Sequence, residues 1–324
     1  MSLLPTPRLL AWGGRHLGGA LLVLLGTSLL LFAVARAAPG EGVRPSALVV
    51  TAEGRGAPVQ PLPRSWAAEY GAWLAGVARG DFGRSAALQR GRPVAELLGA
   101  ASRRSFALAG AALALSAALA AALAAAVALR PGSAGASLVA AGVHGLSTVP
   151  VFLWVYVAVA GGNALVARGA REGWWTLPAW FPFPSSDAWV PWAAAVGILA
   201  VGDGLLADLY RRFRGELEHA ARGEHLVGVR MLGFSVPLAV VRGVLPGASS
   251  HLARRISFAL GSLVVLESAL GWPGLGYLAW RSAAERDVPV LLGVALVLAA
   301  VVRAAVLCAD AVWYGADPRS RGGP

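Results

Sequence analysis

The chain has 324 residues, 57% of them hydrophobic and only 14% charged, with a mean hydropathy of +0.63. A water-soluble domain of this size needs far more polar surface, so the composition excludes one and fits a chain solvated largely by lipid. The formal net charge is +11 and every basic residue is arginine; the arginines fall between apolar runs, as membrane flanks do, rather than along a nucleic-acid-binding face.

Crossing about 30 Å of hydrocarbon takes roughly 20 helical residues. The first apolar run, 17–35, is preceded by Arg8 and Arg15 and followed by Arg36. It is longer than a signal-peptide core and predicts a retained helix, although Ala33-Val34-Ala35 also resembles a cleavage site. Residues 37–104 are too charged to span and read as an extramembrane segment with short amphipathic pieces at 66–77 and 94–101. The second run, 106–129, is nearly all Ala and Leu and ends at Arg130-Pro131-Gly132. The third, 137–161, carries Ala140, Ala141, Gly142 and Gly145, small residues that let helices approach closely. Residues 162–187, with Trp174, Trp175, Trp180, Pro178, Pro182 and Pro184, suit an interfacial loop. The fourth run is 189–206. An arginine-rich stretch, 207–255, precedes a short fifth run, 256–270, interrupted by Glu267; the sixth is 288–307.

Six spans put both termini on one side, and the arginines of the short loops place that side in the cytoplasm. The expectation is an all-α membrane protein in a cell membrane. It divides into an N-terminal tail and first helix (1–36), a long extracytoplasmic loop (37–104), and a five-helix core (105–324) containing a cytoplasmic loop at 207–250. Cys308 is the only cysteine, so no intrachain disulfide forms. Lysine is absent, and with it any Walker A loop, so ATP used on behalf of this chain is hydrolysed by another.

Local motifs narrow the class. Ala37-Ala38-Pro39-Gly40-Glu41 resembles the Ala-Pro-Gly-Asp element of dipeptide/oligopeptide permeases, the membrane subunits of binding-protein-dependent ATP-binding-cassette importers. Gly80-Asp81-Phe82-Gly83-Arg84-Ser85, followed by Gly91-Arg92-Pro93-Val94, is similar to that family's Gly-Asp-Leu-Gly-x-Ser and Arg-Pro-Val stretch. Glu267 with Gly271-Trp272-Pro273-Gly274-Leu275-Gly276 resembles its Glu-x-x-x-x-Trp-Pro-Gly-Leu-Gly. Arg286-Asp287-Val288-Pro289 and Asp317-Pro318-Arg319 resemble its Arg-Asp-Tyr-Pro and terminal Asp-Pro-Arg. Order and spacing are kept over nearly the whole chain.

The resemblance implies six helices of the type I importer kind and a coupling segment at 220–246 that docks on a cytoplasmic ATPase. In the family's coupling loop a Gly follows Glu-Ala-Ala, with Leu-Pro further on; here Gly233 is followed by Leu245-Pro246 at that spacing. The Glu-Ala-Ala positions fall on Val227, Gly228 and Val229, while Arg230 and the Gly-Phe-Ser run ending at Ser235 match the dipeptide branch. Gly233 would let the chain turn between two short helices, and Pro246 would open the next helix, where a missing N–H costs nothing. The implied partners are a second related permease chain, two cytoplasmic ATP-binding subunits and an extracytoplasmic solute-binding protein. The solute is a peptide or a similar small molecule; no cofactor, metal or nucleic acid is implied.

Glu267, Trp272 and Pro273 are candidates for a pathway or gate, with a structural cap on the Gly-Trp-Pro-Gly turn as the alternative for Glu267. Arg254 and Arg255 either face an aqueous path, as anion-preferring residues, or lie just before a fifth span that starts at 256. His144 reads as a hydrogen-bonded packing residue rather than a metal ligand. No serine sits in a nucleophile elbow, and paired acids or Ser/His clusters of a membrane enzyme are missing. An ion-driven secondary transporter, which would show inverted repeats, and a non-catalytic scaffold of a degenerate importer are the competing readings.

Overall fold

The structure is a computed structural model that describes residues 7–37, 65–128, 132–174, 189–222 and 258–316. Among the described residues all regular structure is helical, apart from one isolated antiparallel bridge between Arg84 and Pro93. In chain order the helices are α1 (Pro7–Ala37), α2 (Trp66–Ala78), α3 (Val94–Ala128), α4 (Ala134–Thr148), α5 (Val151–Arg171), α6 (Trp189–Gly202), α7 (Leu205–Arg222), α8 (Phe258–Leu270), α9 (Leu275–Ala284) and α10 (Val288–Ala316). Among the described residues, four stretches are long and apolar enough to cross a membrane: Gly14–Ala35, Val94–Ala128, Val151–Arg171 and Val288–Ala311. The bent pairs Pro191–Gly202 with Leu205–Glu218, and Phe258–Leu270 with Leu275–Ala284, raise the number to six if each pair is one span.

Several boundaries differ from the apolar runs for local reasons. The piece expected at 94–101 is not separate; it forms the first turns of α3, which continues through Arg103 and Arg104 because neither Pro nor an unfavourable Gly pair interrupts it. At 35 residues α3 is roughly 50 Å long, well over a bilayer core. The third run is broken at Val149-Pro150. Val149 is extended (φ −84°, ψ 118°), as the residue before a proline prefers, and Pro150 caps α5. Helix α5 then runs to Arg171, through the start of the expected loop. The fourth run stops at Gly202: Asp203 Oδ1 accepts the Leu205 N–H at 2.8 Å and Gly204 adopts φ 82°, so Leu205 and Leu206 begin α7. The fifth run ends at Leu270, as its apolar window does, and α9 follows it.

Two compact units are distinguished. In the first (Met1–Ser105 with Pro273–Ala304), Phe32 of α1, Trp73 of α2 and Leu292 of α10 form one cluster. Ser28 Oγ, which donates to the Leu25 carbonyl, lies 2.8 Å from the Tyr70 hydroxyl and adds a polar tie between α1 and α2. A second cluster joins Val94, Leu97 and Leu98 of α3 to Leu275 and Leu278 of α9 and Val290 and Val294 of α10. Gly293 lets α10 close on α3: a Cβ there would stand 2.9 Å from Leu98 Cδ1 and 3.1 Å from Val94 Cγ1.

In the second unit (Phe106–Trp272 with Ala305–Pro324), Ala120, Ala124 and Val127 of α3 pack with Val143 of α4 and with Leu205, Leu206, Leu209 and Tyr210 on the apolar face of α7. The opposite face of α7 is charged, with Arg211 on Asp208 and Arg214 on Glu218 at 2.7 Å. Buried Ser116 Oγ lies 2.8 Å from the Ala200 carbonyl, tying α3 to α6. The end of α6 is shaped by Trp154, whose ring leaves room at position 202 for glycine alone.

Candidate functional site

The 79–94 segment closes on itself. Asp81 Oδ1 accepts the Gly83 N–H at 2.9 Å, and Ser85 N–H donates to the Arg92 carbonyl at 2.9 Å. The Ser85 carbonyl accepts Gly91 N–H, and Val94 N–H, at the start of α3, donates to Gly83. The loop thus aims three consecutive main-chain N–H groups, at 86–88, at one point. The carboxylate of Asp287 sits there. Its Oδ2 accepts Ser85 Oγ–H at 2.5 Å, Leu88 N–H at 2.9 Å and Ala87 N–H at 3.1 Å; Oδ1 accepts Ala86 N–H at 3.2 Å. Asp287 is fully buried. Burial pushes its carboxyl pKa up, but the Ser85 hydroxyl and the three N–H groups outweigh that and hold it below the usual carboxylate value.

The backbone delivers Asp287 to this point through a tight helix end. Arg286 follows α9 in the left-handed region (φ 56°), so that Asp287 N–H reaches back to the Ser282 carbonyl at 2.7 Å and Arg286 N–H to Ala283. The Asp287 carbonyl then accepts Leu291 N–H and starts α10. One residue therefore ends α9, begins α10 and anchors the loop in front of α3. The Gly-Asp-Phe-Gly-Arg-Ser motif and the Arg-Asp-Val-Pro motif, some 200 residues apart, meet here. Both motifs are readable in the sequence; their contact is not.

Glu267, Trp272 and Pro273 occupy a second tight turn. Gly271 takes φ 66°, Trp272 N–H donates to the Glu267 carbonyl at 2.9 Å, and Gly271 N–H points to Ser268. Glu267 thus caps α8 through its main chain, a task any residue could perform, while its fully buried side chain is a separate matter. Trp272 is buried, and its indole N–H has no partner among the described residues. Beyond Pro273, Leu275 N–H donates to Ser105 Oγ at 2.7 Å, so a serine of α3 satisfies a free donor at the start of α9. Sequence reasoning missed this role, because nothing near Ser105 marks it as a cap for a helix 170 residues away.

Gly228, Arg230, Gly233, Ser235, Leu245, Pro246 and Arg255 lie outside the described residues. The chain enters that segment from the amphipathic α7. His144 is exposed, with Nδ1 2.7 Å from the Ala140 carbonyl one turn back. Among the described residues no group of three or more His, Cys, Asp or Glu side chains is placed to hold a metal.

The sequence profile described as "Binding-protein-dependent transport system inner membrane component" matches residues 114–322, more than half of the chain. The oligopeptide transport system permease protein AppB of Bacillus subtilis is 25% identical over 314 residues, covering 92% of this chain and 95% of AppB. The metal-staphylopine import system permease protein CntB of Staphylococcus aureus is 26% identical over 43% of this chain and 46% of its own length. The glutathione transport system permease protein GsiC of Pectobacterium atrosepticum is 25% identical over 44% of this chain and 47% of its own. Apolar helices able to span a bilayer, the ordered motifs and this match agree: the chain belongs to the family of binding-protein-dependent transport system inner membrane components, the multi-pass permease subunits of ABC importers.

Proposed function

We propose that this chain forms half of the solute pathway of a peptide importer. The observation that carries the substrate class is the similarity to an oligopeptide permease along 92% of the chain. A second related permease supplies the other half, two cytoplasmic ATPase subunits drive it, and an external binding protein delivers the solute. The bent helix pairs count as single spans in this reading, giving six, with both termini cytoplasmic and the 37–104 segment outside. Domain limits follow the same plan, with 105–324 as the core.

ATP-driven motion enters through 220–246, where Gly228, Arg230, Gly233 and Ser235 form the part that docks on the ATPase and Leu245-Pro246 lead into the next helix. Charged, amphipathic α7 supports this, since a helix with one apolar and one ionic face suits the approach to a soluble partner. Glu267, Trp272 and Pro273 line or brace the outer end of the path, and Arg255 lies deeper along it. The unpartnered Trp272 indole N–H supports that placement, because a buried donor calls for an acceptor.

The test is a cysteine at Gly233, with Cys308 replaced, in membranes that hold the co-expressed ATPase. A crosslink that changes with ATP is expected. If a folded, inserted chain gives no crosslink anywhere from 220 to 246, the coupling assignment falls.

A further inference from the structure

The first unit contains a cleft of about 360 Å³ between the 88–104 stretch and α9, near the small end of the range for small-molecule pockets. Three guanidinium groups line it, Arg92, Arg104 and Arg281, and no acidic side chain does. Two of them are already paired. Arg92 donates to Gln89 Oε1 at 2.7 Å and to Glu96 at 3.2 Å. Arg281 donates to Glu285 through Nε at 2.8 Å and to the Tyr277 hydroxyl at 3.2 Å. Arg104 is exposed and has no ion-pair or hydrogen-bond partner among the described residues. Leu97 and Leu278, from α3 and α9, add apolar side chains to the lining.

We propose that this cleft receives the carboxylate of a small organic solute, with Arg104 as the principal ligand and Arg281 as the second. A guanidinium has five donors, so Arg281 keeps hydrogens to offer after serving Glu285 and Tyr277, and a planar fork matches a carboxylate. The apolar side chains in the lining favour an anion with an organic body over a bare inorganic one. Arg104 and Arg281 come from different helices and converge on one space, which separates this arrangement from a solvated charged face. The choice of a solute rests on the reading of the chain as an importer subunit; the cleft itself does not involve the 220–246 segment.

The full chain is placed in nanodiscs of phosphatidylcholine and titrated by calorimetry with dialanine, dialanine amide and inorganic phosphate. Dialanine is expected to bind, the amide and phosphate to bind at least tenfold more weakly, and Arg104→Gln to weaken dialanine at least tenfold without changing the melting temperature. Arg281→Gln gives a second, smaller loss. Equal binding of acid and amide, no dialanine binding, or an unaltered Arg104→Gln titration overturns the proposal. So does loss of dialanine binding by the wild type when phosphatidylglycerol is added, because the occupant is then a lipid phosphate. ATP-driven uptake by the assembled importer is read alongside. Uptake without dialanine binding to this chain removes the cleft and leaves the permease role standing; absent uptake by the wild-type assembly counts against the peptide assignment instead.

Discussion

Asp287 gathers four donors onto one carboxylate in a place water does not reach. Replacing it with Asn sets an NH2 group against N–H donors; a loss of about 3 kcal/mol is expected, against about 1 kcal/mol for Ser85→Ala. Thermal unfolding of the purified protein in detergent reads both. A carboxyl held below its unfolded value, about 4, contributes stability that is complete above that pH and is lost as pH falls through the folded value. The wild type is therefore expected to lose melting temperature below about pH 4 by more than Asp287→Asn does; parallel acid limbs would show that the group carries no such linkage. At Gly271, φ 66° makes any other residue costly, so Gly271→Ala is expected to lower stability by about 1 kcal/mol. Position 286 meets the same left-handed geometry with an arginine, and the two hydrogen bonds it enables at the end of α9 hold it there. The sequence marks Gly271 as a turn residue, whereas Arg286 carries no composition signal for its backbone.

Apolar runs locate spans well where Pro and Gly agree with hydropathy, and poorly where they do not. The first and last runs appear as α1 and α10, each longer than its apolar window. The third run looks continuous by hydropathy, yet Pro150 outweighs it. Amphipathic α7 lies in what hydropathy marks only as a basic loop, since its buried stripe lies between arginines and depends on α3 and α4 to cover it. Close approach between helices rests on individual glycines. At position 202 a methyl would stand 2.6 Å from Trp154 Cδ1, so Gly202→Ala is expected to cost about 2 kcal/mol, with Trp154→Leu restoring part of it in the double variant. Melting curves of the two single variants and the double variant decide this; additive losses would show that the ring and the glycine are independent.

For the whole molecule, family and transport role were legible because motif order survives where overall identity has fallen to 25%. The candidate site was legible in part. Its two motif halves stand in the sequence, but the pairing of Asp287 with 85–88 is a fact of three dimensions, as are Ser105 under Leu275 and the three-arginine cleft. The pairing also fixes an order of events during synthesis. The N–H groups at 86–88 leave the ribosome about 200 residues ahead of the carboxylate that satisfies them, roughly 10–40 s at ordinary elongation rates. Until the last span follows, those three N–H groups lack the carboxylate that accepts from them. A chain truncated after Glu285 is expected to be cut by protease within 80–93 at least tenfold faster than the full chain. With that outcome Asp287 works as a completion mark: the segment before α3 becomes resistant only when the final helix has been made and inserted.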